Sequence, residues 1–116
     1  MRQICPQCKE VAQYSDAALR EIGIDPAGPE RHQLRRGAGC DACGRTGYRR
    51  RLGVFELLPI DDTVRQMIVD RTPATLIKQY GVKQGMQTLL MDGREKALAG
   101  ITTLDEVVRV CQADGL

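Results

Sequence analysis

Residues 40–58 read CDACGRTGYRRRLGVFELL. Two cysteines stand three positions apart, followed by two glycines, three consecutive arginines and an apolar run. Three chemistries fit a segment so composed: a redox site, a basic nucleic-acid-binding knuckle, or a metal staple beside an interaction surface. The first is tested by context. A thioredoxin-like Cys-x-x-Cys closes a strand within a βαβ pattern, and no such pattern surrounds these cysteines.

A second pair, Cys5-x-x-Cys8, lies upstream, with 31 residues between it and Cys40. Two residues between thiols let both sulfurs and the intervening backbone N–H groups converge on one ion. Two such turns supply the four thiolates of a tetrahedral zinc site. Cys5, Cys8, Cys40 and Cys43 are therefore the expected metal ligands, with structural Zn2+ as the cofactor and Gly39, Gly44 and Gly47 relieving crowding around the second turn. A staple suits this composition. The 116-residue chain is 42% hydrophobic but only 3% aromatic, with no Trp and one Phe. Rings usually supply much of a small domain's burial, so the core is thin.

The remaining thiol, Cys111, falls in helical register with Leu104, Val107 and Val108, which makes it a small buried hydrophobe. His32, the single histidine, is expected at the surface. No Ser-His-Asp or Cys-His set can be built around it, and no G-x-x-x-x-G-K-[ST] segment occurs to hold a nucleotide phosphate. No catalytic residue is assigned.

Charge is unevenly spread. The formal net charge is +2, yet residues 31–51 hold seven Arg and one Asp. Arg45, Tyr48, Arg49, Arg50 and Arg51 form the candidate interaction surface. Its partner is left open between an acidic protein surface, anionic lipid headgroups and nucleic acid stacked on Tyr48, against the alternative of a merely solvated loop. Glu56 either pairs with one of these arginines or faces solvent. No signal peptide and no apolar run of membrane-spanning length is seen, so a cytosolic location is expected, where clustered thiols favour metal over disulfides.

Along the chain, Ser15 caps a helix over 15–23 that Gly23 ends, and 24–30 is loop. A short strand is expected within 31–39 and a mostly buried strand over 51–60, closed by Pro59. Helices follow: one capped by Asp61 or Asp62 and carrying Val64, Met67 and Ile68; one over 72–81, with Thr72 as cap and Pro73 in its first turn; one over 86–100, weakened by Gly93 and stopped at Gly100. The last, over 102–112, opens with a Thr103-x-x-Glu106 capping box. The expected fold is a small α+β chain. A tetracysteine zinc-knuckle subdomain with short strands and a helix (1–58) is followed by a compact bundle of short helices (59–116).

CPQCK at 5–9, GCDACGRTGYRRRLGVFELLPID at 39–61 and DGREKALAGITTLDEVVRV at 92–110 together resemble the C-terminal part of the assembly ATPases of type II secretion and type IV pilus systems. The resemblance implies a parent protein that forms a hexameric ring and hydrolyses ATP with Mg2+ in a domain upstream of this segment. Its implied partners are neighbouring ring subunits, an inner-membrane platform protein and an anionic membrane surface, in the cytoplasm at the inner membrane. It also implies that this segment is a non-catalytic, monomeric fragment whose four cysteines bind zinc, which would account for its abrupt start. The alternative is a free-standing zinc-ribbon nucleic-acid-binding module. The family pattern usually carries glycine two residues after the tyrosine, where this chain has Arg50. If that position needs a positive φ, Arg50 is strained.

Overall fold

The computed structural model describes residues 1–111. Among them, strands β1 (Arg2–Ile4), β2 (Lys9–Val11), β3 (Arg35–Gly37) and β4 (Tyr48–Arg51) precede most of the helical content, with α1 (Asp16–Glu21) between β2 and β3. Helices α2 (Asp62–Val69), α3 (Ala74–Lys83), α4 (Leu89–Leu98) and α5 (Leu104–Cys111) follow. Short 3-10 turns cover Pro29–Gln33 and Asp41–Cys43. The chain is α+β, as expected.

The strands make two antiparallel pairs, β1 with β4 and β2 with β3. In the first, Arg2 lies opposite Arg51 but Ile4 opposite Tyr48, so β4 carries one residue too many. That extra residue is a β-bulge, and Arg50 within it has φ +64°. The position that resemblance marks as a usual glycine does require the left-handed region, and here an arginine occupies it.

The chain forms two compact units, Met1–Val54 with Leu89–Leu116, and Phe55–Thr88. This division differs from the boundary expected after residue 58. The closing helices share a core with the first half, so the helices do not all belong to one C-terminal unit. In the larger unit Leu19, Ile22, Ile24 and Leu34 pack with Ala97, Leu104, Val107 and Cys111. Burial of α5 follows its apolar spacing, and Cys111 is buried as that spacing predicts. Gly93 sits buried in α4, where an added Cβ would stand 3.1 Å from Cys111 Sγ and 3.2 Å from Val107 Cγ1. Its missing side chain lets α4 and α5 approach closely, a gain that offsets its poor helix propensity.

In the smaller unit Asp61 caps α2, accepting a hydrogen bond from Val64 N at 2.8 Å. The same carboxylate accepts one from the Tyr80 hydroxyl at 2.6 Å, which holds it below the usual carboxylate range. Glu56 meets Lys78 at 3.5 Å, a contact with neither the arginines nor open solvent, the two alternatives its position offered.

Several element bounds differ from expectation for identifiable reasons. The strand expected over 51–60 is absent as such: β4 ends at Arg51, and Phe55 and Leu57 are 74% and 79% exposed. A strand needs a partner, and the ladder with β1 runs out where Met1 and Leu52 exchange hydrogen bonds. Helix α3 begins after Pro73, which stands at the cap position without a side-chain bond, so Thr72 does not cap it. Helix α4 starts at Leu89, three residues later than expected, and ends at Leu98, with Gly100 at φ +76° just beyond it. Gln112, the last residue of the expected final helix, lies outside the described residues.

Candidate metal centre

The Cys-Pro-x-Cys turn between β1 and β2 and the 3-10 turn after β3 bring four thiols together. The Sγ atoms of Cys5, Cys8, Cys40 and Cys43 all lie within 4.8 Å of one another. Cys5 and Cys40 are 3.8 Å apart, Cys8 and Cys43 3.9 Å, and Cys40 and Cys43 3.8 Å. None is a disulfide. A tetrahedron of thiolates about 2.3 Å from a central zinc ion has edges of about 3.8 Å. The donor set and its spacing therefore fit a tetrahedral metal ion of that size. Cys5 is fully buried and the other three are half-buried, which closes one side of the cluster to water.

Backbone N–H groups point at the sulfurs. Gly39 N donates to Cys8 Sγ at 3.3 Å, while Cys40 N and Gly47 N donate to Cys43 Sγ at 3.3 and 3.2 Å. Such donors stabilise thiolate charge and orient the ligands. Desolvation pushes both Cys8 and Cys43 up, but with opposite net results. At Cys43 the N–H groups of Cys40 and Gly47, with its thiol neighbours, outweigh desolvation and hold it at about 6. At Cys8 a single N–H opposes desolvation, and the thiol rises to about 11.

Gly37 and Gly47 clamp the two halves of the cradle. A Cβ on Gly37 would collide with the backbone of Gly47, and one on Gly47 with the carbonyl of Gly37. Gly47 O also accepts from Cys5 N at 2.9 Å, so the same residue ties both knuckles. Gly37 did not stand out in the sequence. Its only signal was a glycine at the end of a short strand, three residues before Cys40.

The five residues of the candidate interaction surface separate into different roles. Arg45, at φ +68°, pairs with Asp41 at 2.9 Å on the exposed rim. Tyr48 is half-buried: the Arg2 guanidinium lies 4.1 Å from its ring centroid, and its hydroxyl is 2.7 Å from Thr103 Oγ1. That ring is built into the fold and is not a free stacking platform. Arg49 and Arg50 line one cleft, and exposed Arg51 lies opposite Arg2.

A further group escaped sequence reasoning. Glu106, 1% exposed, accepts from Arg2 N, Nε and Nη2 at 2.8–3.1 Å and from Arg109 Nε and Nη2 at 2.9 Å. Arg109, then Arg2, holds its carboxyl well below the usual range against the opposing cost of burial. Thr103 does cap α5, accepting from Glu106 N at 3.0 Å. The reciprocal half of the expected capping box is missing because the carboxylate is spent on the arginines. The one local signal was Arg109 at i+3.

No helix among the described residues is long and apolar enough to cross a membrane. The profile of the family described as type II/IV secretion system protein matches residues 1–109. The type IV pilus assembly ATPase PilB of Thermus thermophilus is 43% identical over 93% of this chain and 12% of its own length. Type II secretion system protein E of Pseudomonas aeruginosa is 36% identical over 98% of the chain, and that of Klebsiella pneumoniae 42% over 97%; in each the match covers 22% of the relative. The chain thus spans between about one-eighth and one-fifth of these proteins. With a profile match over nearly all its residues and relatives above 30% identity throughout, the chain belongs to the type II/IV secretion system protein family.

Proposed function

We propose that this chain is the non-catalytic, zinc-stapled C-terminal portion of a hexameric ATPase that powers type II secretion or type IV pilus assembly. Cys5, Cys8, Cys40 and Cys43 would hold the zinc ion, whose contribution is purely structural. The basic surface beside it would contact neighbouring ring subunits or an inner-membrane platform protein on the cytoplasmic side. ATP and Mg2+ would act only in a domain upstream. The relatives' names support the machinery, and the observation that carries the structural half is the thiol spacing, with edges that suit a tetrahedral ion.

The chain's own residues do the rest. Gly37 and Gly47 let the knuckles close, backbone N–H groups polarise toward the sulfurs, and β4 leads directly from the second knuckle to the arginines. The rigid turn thereby fixes where positive charge is presented. Replacing Arg45, Arg49 and Arg50 together with alanine in the full-length protein should impair secretion or pilus assembly while zinc content and fold persist. Unchanged assembly with all three removed would sink the interaction role. Elemental analysis of the folded chain should return about one zinc per chain.

A further inference from the structure

Two consecutive strand residues normally point to opposite faces of a sheet. Arg49 and Arg50 do not: both line the same cleft, of about 250 Å³, with Lys9. The bulge in β4 breaks the alternation, and Arg50 holds φ +64° to do so. A non-glycine residue in that region is strained, because its Cβ crowds the following carbonyl oxygen. Backbone strain of this kind marks a place to ask about function.

The cleft's chemistry is specific. Among the described residues none of Lys9, Arg49 and Arg50 pairs with a carboxylate, whereas Arg2, Arg31, Arg36, Arg45, Arg65 and Arg109 all do. The other walls are mostly apolar: Ile4 is buried, Pro6 and Ile101 lie beside it, and Gln3 is the one further polar residue of the lining. Three cations without counterions around an apolar floor focus positive potential into a recess. The recess falls below the roughly 300–1,000 Å³ usual for small-molecule sites. It suits a short side chain presented by a larger body. A bilayer surface is broad and flat, and meets protruding groups more readily than a recess.

We infer that the cleft formed by Lys9, Arg49 and Arg50 receives an acidic side chain, flanked by an apolar one, from a partner protein. The guanidinium of Arg49 takes the carboxylate in a two-point contact, Lys9 and Arg50 supply long-range attraction, and Ile4 and Ile101 accept the apolar neighbour. This deepens the interaction role proposed above and rests on it for the partner's identity.

The test uses the isotope-labelled 116-residue chain, titrated by NMR with the peptide acetyl-Leu-Glu-Leu-Glu-amide. The lysine counterpart, inorganic phosphate and phosphatidylglycerol vesicles serve as competing probes. Saturable shifts confined to residues around Gln3, Arg49 and Ile101, weakened about tenfold by Arg49→Ser and by Lys9→Ser, are expected; that factor corresponds to about 1.4 kcal/mol. Both side chains are exposed, so spectra of the core should not change. No saturable shift, equal shifts with phosphate, or tighter engagement of vesicles than of peptide would overturn the inference. The same two substitutions in the full-length protein separate the two levels. Peptide binding lost with assembly intact keeps the cleft and removes the assembly role; assembly lost without any peptide binding does the reverse.

Discussion

Arg2 and Glu106, 104 positions apart, are joined by three hydrogen bonds, one from the backbone and two from the guanidinium. The carboxylate is buried, while Arg2 reaches the surface, so the contact works as a latch between the first strand and the last described helix. Arg2 also covers the Tyr48 ring, and Tyr48 in turn meets Thr103 at the start of that helix. Four side chains thereby close one ring of contacts around the β1–β4 pair.

The latch should give an acid-sensitive stability. The folded pKa of Glu106 lies below its unfolded value, so its contribution is complete above about pH 4.5, the ordinary carboxylate range, and is lost as pH falls below it. Glu106→Gln should destabilise the protein at pH 7 by about 2 kcal/mol, as expected for hydrogen bonds to a charged group. It should also flatten the stability profile between about pH 4.5 and pH 2 relative to the parent. Urea melts across that range read both effects, and parallel profiles for the two proteins would refute the latch.

Relief of the bulge should be measurable. Arg50→Gly removes left-handed strain of about 1–2 kcal/mol and adds back unfolded-state entropy of about 0.5–1 kcal/mol. A net gain of about 0.5–1 kcal/mol is expected in denaturant melts. Arg50→Ala retains a Cβ at the same φ and should bring no such gain.

Gly37→Ala should be severe. Its methyl group would have to occupy the space of the Gly47 backbone, which itself holds Cys5 N and Cys43 Sγ. The expected outcome is weakened metal retention against a chelator, by one to two orders of magnitude as for lost outer-shell support, measured with a competing zinc indicator. Gly44→Ala, where an added Cβ meets nothing within 4 Å, is the milder control: it should cost only its φ of +64°.

Metal removal should unfold the larger unit. Structural zinc contributes about 10–16 kcal/mol in small peptides at pH 7, against about 5–15 kcal/mol for the whole stability of a typical domain. A strong chelator should abolish the cooperative melt of the core around Leu19 and Leu104, followed by hydrogen exchange, and added Zn2+ should restore it. Unchanged exchange protection after demetallation would show that the staple is dispensable.

What could be read from sequence was local. Each Cys-x-x-Cys turn is a spacing within four residues, and the α5 core face is a spacing within eight; both stand in the structure as their patterns predict. The Arg50 strain was legible as well, because a single position carries it. Beyond shifts of a few residues at the starts of α3 and α4, the failures were matters of pairing at a distance. The apolar run over 51–60 has strand composition, but no neighbouring strand continues beside it. Gly37 and Gly47 acquire meaning only when their backbones cross. Glu106 read as a cap because Arg2 stood at the far end of the chain, and no periodicity links the two.

The larger unit is discontinuous in sequence, built from the first 54 residues and the closing helices. A chain grows from its N-terminus, so during translation the first half waits for Leu104, Val107 and Cys111, the last pieces of its core, while the smaller unit is being made. The four thiols, by contrast, are all present once Cys43 has left the ribosome. With the zinc role proposed above, ion capture would precede core completion by some sixty codons. In the nascent chain the knuckles would act as a temporary clasp, ordering a half-finished domain until its C-terminal helices arrive.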